Sequence, residues 1–213
     1  MTEVVSVARD GSAAARAGLE RVVRAGGVVV FPADGVYGLA CDPGRAEAIE
    51  RIHALKGREA GKPSAVMFFA PLAMRELIST LGPRTRDALA ALLPGPVTLV
   101  VDNPERLYPL ACGEDPGRLG LRLIEGPLAG AGVAVFQTSA NPAGEPPANR
   151  LDAVASAILT GADLAIDGGE LAGSPSMVID LTQIEAGGGW AILRPGALSS
   201  SELARRLAPG RGW

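Results

Sequence analysis

Arg118-Leu119-Gly120-Leu121-Arg122-Leu123-Ile124 alternates with a period of two. Successive side chains of an extended strand leave opposite faces, so Leu119, Leu121 and Leu123 share one face and Arg118 and Arg122 the other. The leucine face reads as core. A face that carries two arginines does not, and it needs polar partners.

Working outward, the neighbouring apolar runs read as buried strands: Val28 to Phe31, Ala65 to Phe69, Val97 to Val101, Val133 to Gln137, Leu164 to Ile166, Met177 to Leu181 and Ala191 to Leu193. Helix-period stretches separate them. The first runs from about Ser12 to Arg24 and stops at Gly26-Gly27. The next, from about Arg45 to Lys56, turns Ile49, Ile52 and Leu55 inward and delivers Lys56 at its C-terminal end. Further helices are predicted at Leu72 to Thr80, Pro83 to Leu93 and Leu151 to Leu159, and a last one begins at the capping box Ser199-Ser200-Ser201-Glu202. Strands alternating with helices predict an α/β fold with a mixed, many-stranded sheet. The breaks at Ala143 to Asn149 and Gly187 to Gly189 do not part independent cores, so one domain is expected over residues 1–213, with its core at about 10–200.

Composition narrows the function. With 213 residues and 47% hydrophobic content the chain is long enough for one well-packed domain. A net charge of −3 rules out a polybasic, histone-like binder, so any nucleic-acid contact must come from a local patch. His53 is the single histidine and the two cysteines, Cys41 and Cys112, lie far apart, which argues against a Cys/His metal site and a His-based triad. A disulfide stays open, but two free thiols are the preferred reading. No leader-like or membrane-spanning run is present, so a cytoplasmic location is expected.

Of the 20 basic residues only Lys56 and Lys62 are lysines, and both sit in Lys56-Gly57-Arg58-Glu59-Ala60-Gly61-Lys62-Pro63. In a chain so rich in Arg, Ala and Gly, such a pairing points to a selected site, with a solvated basic loop as the plain alternative. Lys56, Arg58, Lys62, Arg122 and Arg194 all stand at strand or helix ends, where point charges and forked donors could converge on phosphate. No Walker or G-x-G-x-x-G pattern exists, so a nucleotide would need an unconventional site. Gln137-Thr138-Ser139-Ala140-Asn141-Pro142-Ala143-Gly144 follows a strand directly and offers short hydrogen-bonding side chains, or else a turn that caps itself. Asp34-Gly35 in Pro32-Ala33-Asp34-Gly35-Val36-Tyr37-Gly38-Leu39 is a tight-turn signal. His53 lies one turn before Lys56 and reads as a packing residue.

Together these segments, with Pro94-Gly95-Pro96-Val97-Thr98, Gly120-Leu121-Arg122, Ser174-Pro175-Ser176-Met177-Val178-Ile179-Asp180 and Leu193-Arg194-Pro195-Gly196, resemble the YrdC-like threonylcarbamoyl-AMP synthase family in order and spacing. The resemblance implies a short, single-domain member with a twisted α/β sheet and a concave, positively charged cavity. It implies a nucleotidyltransferase reaction in which L-threonine, bicarbonate and ATP, with Mg²⁺, give threonylcarbamoyl-AMP and pyrophosphate for the t6A modification of tRNA. By position, Arg58, Lys62, Asn141 and Arg194 match ATP contacts, Lys56 and Arg58 are the expected catalytic pair, and Arg122, Ser139 and Ser176 match the threonine and bicarbonate end. No resident protein-bound metal is implied. Expected partners include a downstream t6A transferase, and contact with tRNA or double-stranded RNA stays open.

The chain departs from the family's usual Thr at Ala33, Gly35 and Met177, and from its usual Pro at Glu59. Gly35 and Met177 fall in segments expected to border the amino-acid pocket, which would leave two hydroxyl donors missing there. Glu59 would oppose phosphate unless it points away. Two alternatives follow: a paralogue acting on another acceptor, and a non-catalytic RNA- or nucleotide-binding module, which the acidic charge and scarce aromatic residues disfavour.

Overall fold

The structure, a computed structural model, describes residues 2–59 and 61–208. Ten strands form one sheet: β1 (Glu3–Ser6), β2 (Val29–Pro32), β3 (Tyr37–Cys41), β4 (Ala65–Phe68), β5 (Val97–Asp102), β6 (Arg118–Leu123), β7 (Val135–Ser139), β8 (Leu164–Asp167), β9 (Met177–Asp180) and β10 (Ala191–Arg194). Their spatial order is β1-β8-β2-β3-β7-β4-β6-β5-β9-β10, with parallel and antiparallel pairs mixed. The helices are α1 (Val7–Arg24), α2 (Ala46–Lys56), α3 (Arg75–Thr80), α4 (Pro83–Leu92), α5 (Ser156–Gly161) and α6 (Ser200–Arg206). The expected α/β class with a mixed sheet is what the chain adopts.

Two apolar layers hold the sheet. On one face Leu119, Leu121 and Leu123 join Val66, Phe68, Leu99, Phe136 and Ile179 under α2, α3, α4 and α6. On the other, α1 presses Ala15, Leu19, Val22 and Val23 onto Val29, Phe31, Ala40, Leu164 and Ile166. Removing these side chains from water is the main stabilising term of such a layered fold.

Four elements differ from the sequence reading. β3 was not expected, because Tyr37-Gly38-Leu39-Ala40-Cys41 is buried throughout and rich in Gly and Ala, which carry little strand signal. β1 is an exposed edge strand, pairing in parallel with β8, and too short to show a period. The predicted helix at Leu151 to Leu159 is instead a single 3₁₀ turn (Leu151–Ala153) followed by α5, since Val154 and Ala155 adopt extended ψ values of 133 and Val154 is buried. Likewise Leu72 to Thr80 splits into a 3₁₀ turn (Pro71–Met74) and α3.

Candidate active site

The second face of β6 opens onto a cavity of about 720 Å³. Alternation places Gly120 and Arg122 on the same side as Ile124, which packs in the layer beneath α1. Along β4 the pair Ala65 and Met67, and along β7 the series Val135, Gln137 and Ser139, pass in the same way from that layer into the cavity. The cavity is therefore the part of the α1 face that α1 does not reach.

All eight residues singled out from sequence line it: Lys56, Arg58, Lys62, Arg122, Ser139, Asn141, Ser176 and Arg194. With Arg118, six cations face it against two carboxylates, Asp115 and Glu145.

Local structure explains how each arrives. Gly57 ends α2 in the left-handed region at φ 58, and Arg58 N–H closes back on the His53 carbonyl at 2.9 Å. That cap turns Lys56 and Arg58 into the cavity together. Lys56 is 5% exposed, and its ammonium donates to the carbonyls of Ser139 and, at 2.6 Å, of Asn141. Ala143 N–H returns a bond to the Lys56 carbonyl at 2.8 Å, so α2 and the loop after β7 are tied by both backbone and side chain. Burial, with Arg58 nearby adding to it, brings the Lys56 ammonium down to about 8. Expected as a catalytic cation, Lys56 is here committed to two backbone carbonyls.

Arg58 donates to Ser64 Oγ at 3.0 Å, Thr138 Oγ1 at 3.3 Å and the Pro63 carbonyl at 2.8 Å, all neutral groups. Among the described residues no carboxylate pairs with it, and burial lowers its affinity for its proton. Lys62 is paired with Glu59 at 2.9 Å. Glu59 itself is 81% exposed and lies outside the cavity lining, so the acid that would repel phosphate stands at the rim.

Arg122 is buried. It donates to Gln137 Oε1 at 3.2 Å and the Ala33 carbonyl at 3.4 Å, and its nearest carboxylate is Asp34 at 3.5 Å. Among the described residues its Nε has no hydrogen-bond partner, nor has Asn141 Oδ1. Burial, opposed by Asp34, brings Arg122 to about 10, and burial outweighs Arg122 in raising the Asp34 carboxyl. A guanidinium that lines the cavity, with its nearest carboxylate at 3.5 Å, has the charge and forked donors to take an anionic group.

At the far side Arg194 donates to the Ser176 carbonyl at 2.8 Å and to Ser176 Oγ at 3.3 Å, while Ser176 Oγ also lies 2.9 Å from Thr98 Oγ1. A bulge between Ile192 and Arg194 lets the adjacent Leu193 and Arg194 both face the cavity, which regular alternation forbids.

One expectation about a missing hydroxyl is corrected. Met177 points into the opposite apolar layer, because in β9 it alternates with Ser176 and Val178, so no hydroxyl is lost from the cavity there. At Gly35 any β-carbon would collide with the Ser174 carbonyl oxygen, and Gly173 N–H bonds the Gly35 carbonyl at 2.8 Å. The 173–174 segment occupies the space a larger residue would need. His53 is packed edge-on against Phe136, as the packing reading expects. Cys41 and Cys112 are free and buried, Cys112 in the cavity wall.

Sequence reasoning missed Thr98, Gln137, Thr138 and Ser64 as cavity residues. Thr98 and the 137–138 pair lay inside quoted motifs, but nothing local told which of those side chains turn inward.

A family model named Sua5_yciO_yrdC, described as "Telomere recombination", matches residues 21–196. The chain is 39% identical over 133 residues to the threonylcarbamoyl-AMP synthase of Nitrosococcus oceani, covering 60% of this chain and 71% of that one. To the threonylcarbamoyl-AMP synthase of Pseudomonas aeruginosa it is 36% identical over 167 residues, covering 76% and 89%. Among solved structures it is similar to P. abyssi Sua5 complexed with L-threonine, with a TM-score of 0.82 at 27% identity, covering 98% of this chain and 61% of that one. It thus spans less than two thirds of the Sua5 chain.

Proposed function

Because this chain belongs to the Sua5/YciO/YrdC family, we propose that it is a threonylcarbamoyl-AMP synthase. In this reading the amine of L-threonine adds to the carbon of bicarbonate with loss of water, giving a carbamate. A carbamate oxygen then attacks the α-phosphorus of ATP, the bond from that phosphorus to the bridging oxygen breaks, and pyrophosphate leaves. The observation that carries the proposal is the convergence of Lys56, Arg58, Lys62, Arg122 and Arg194, drawn from four separate elements and loops, on one cavity.

The chemistry asks for positioning and for fixed positive charge where negative charge gathers on the leaving pyrophosphate. Arg58, held only by neutral oxygens, is free to meet phosphate without first breaking an ion pair. Lys62, Arg194 and Asn141 join it on the nucleotide side. Arg122 takes the amino-acid carboxylate, with Ser139 and Ser176 hydroxyls toward threonine and bicarbonate. Lys56 acts by fixing the Ser139–Asn141 loop through its carbonyls. Among the described residues no cluster of three or more His, Cys, Asp or Glu could cage a metal ion. The two cavity carboxylates fit Mg²⁺ only as a guest of the triphosphate, keeping several waters. Mg²⁺ arriving with ATP would neutralise phosphate charge.

The product is a mixed anhydride that water destroys, so it calls for a transferase that passes the threonylcarbamoyl group to tRNA. Among the described residues no helix is long and apolar enough to cross a membrane, which is compatible with work in the cytoplasm beside tRNA.

The test is pyrophosphate release by the purified chain with Mg-ATP, bicarbonate and each of the amino acids in turn. Release that needs all three substrates, with threonine preferred, is expected. Equal release without threonine, or salt-sensitive tRNA binding with no turnover, overturns the reading.

A further inference from the structure

The chain leaves β5 for β6 through a loop whose two ends meet. Asn103, in the turn signal Asn103-Pro104, donates its backbone N–H to the Gly117 carbonyl at 2.8 Å and its Nδ2 to the Pro116 carbonyl at 3.0 Å. The same side chain takes both backbone groups of Leu107. Oδ1 accepts from the Leu107 N–H at 2.9 Å, and Nδ2 donates to the Leu107 carbonyl at 2.8 Å. Leu107 lies between Arg106 and Tyr108, which both hold φ 52. Side chains in the left-handed region persist where their surroundings over-determine them. The Asn103 amide, 1% exposed and engaged at both ends, does that here.

Closed in this way, the loop backs the strip 61–64 that leads into β4. Its Ala111 carbonyl accepts from the Ser64 N–H at 2.9 Å. At Gly113 the two backbones touch, since a β-carbon there would stand 2.4 Å from the Gly61 carbonyl oxygen and 2.9 Å from the Pro63 nitrogen. On its other side the strip meets Arg58: the Ser64 hydroxyl and the Pro63 carbonyl are two of that guanidinium's three acceptors. The third, Thr138, comes from β7. Most of what aims Arg58 therefore leans on a loop that Asn103 holds shut.

We propose that Asn103 is a positioning residue for nucleotide binding: by closing the loop from β5 to β6 it fixes the strip 61–64 that aims Arg58. This rests on the synthase reading, in which Arg58 meets phosphate. Asn103 itself stands outside the lining of this cavity, so its effect passes through Ala111, Gly113 and Ser64.

The experiment compares wild type with Asn103→Ala, which opens the loop, and with Gly113→Ala, which leaves the Asn103 bonds alone and forces the two backbones apart. Assayed well below their melting temperatures, both variants are expected to raise the KM for Mg-ATP about tenfold, as for a charged contact displaced but not deleted, and to leave the KM for threonine within about twofold. A purely structural role would lower the melting temperature and the active fraction with both KM values unmoved. Calorimetric titration with Mg-ATP closes a double-mutant cycle: on an Arg58→Met background Asn103→Ala should weaken ATP binding no further, because it acts through that side chain. An unchanged KM for ATP in the folded variants, an equal rise in the KM for threonine, or a full further loss on the Arg58→Met background overturns this inference alone. Should Asn103→Ala fail to fold, Gly113→Ala decides by the same criteria. A wild type with no threonine-dependent pyrophosphate release overturns the synthase reading, and this inference with it.

Discussion

One face of the sheet is put to two uses. Under α1 it carries Val29, Phe31, Ala40, Leu164 and Ile166, closed against Leu19 and its neighbours. Beyond the reach of α1 the same face carries Gln137, Gly120, Arg122 and Thr98 and encloses the cavity. The change happens within single strands, from Met67 to Ala65 in β4 and from Val135 to Gln137 in β7. Strand positions are apolar where α1 covers them and include polar and charged side chains where the cavity opens. The covered half supplies stability, and the open half holds buried charges that stability alone would not retain.

That contrast can be broken by substitution. The largest effect belongs to the covered half: Leu19→Ala, at a fully buried position, is expected to cost about 2–5 kcal/mol. Urea unfolding measures it, and KM values well below the melting temperature should stay put. A comparable loss of substrate affinity would mean that the two halves are not separable.

The second effect concerns Lys56, at their border. Its ordinary value of 10.5 in the unfolded chain falls to about 8 in the fold, so between these pH values the unfolded state binds more protons. Stability from this group therefore rises as pH climbs through that window, by on the order of 3 kcal/mol, and is independent of pH below it. Chemical denaturation of wild type and Lys56→Met across pH 7 to 11 should show the gap between the two proteins moving in favour of wild type. A constant gap would mean that the ammonium is not desolvated.

The smallest of the three sharpens the open half. Arg58→Met keeps length and removes the fork that reaches Ser64, Thr138 and Pro63. Turnover should drop on the order of 100-fold, as for loss of one fixed electrostatic donor, with little change in melting temperature. Retained turnover would move the phosphate anchor elsewhere in the cavity.

The leucine face of β6 and its arginine face were legible at once, because alternation is a property of neighbouring residues. Lys56 and Arg58 were legible for a different reason, the scarcity of lysine around them. β3 was hidden because both of its faces are buried, which erases the alternation that marks a strand. Met177 was misjudged because a motif says which residues are near a pocket and not which way each one points.

The amino-acid sequence by itself determined the α/β layering, the strand faces, the helix ends that present Lys56 and Arg194's strand, and the family. Only the tertiary structure decided that Thr98 and Ser176, 78 positions apart, share a hydrogen bond and that Lys56 grips carbonyls. Periodicity and capping are local energies, fixed within a few residues. The meeting of β5 with β9 or of α2 with the loop after β7 depends on burial and pairing summed over the whole chain, which no short window contains.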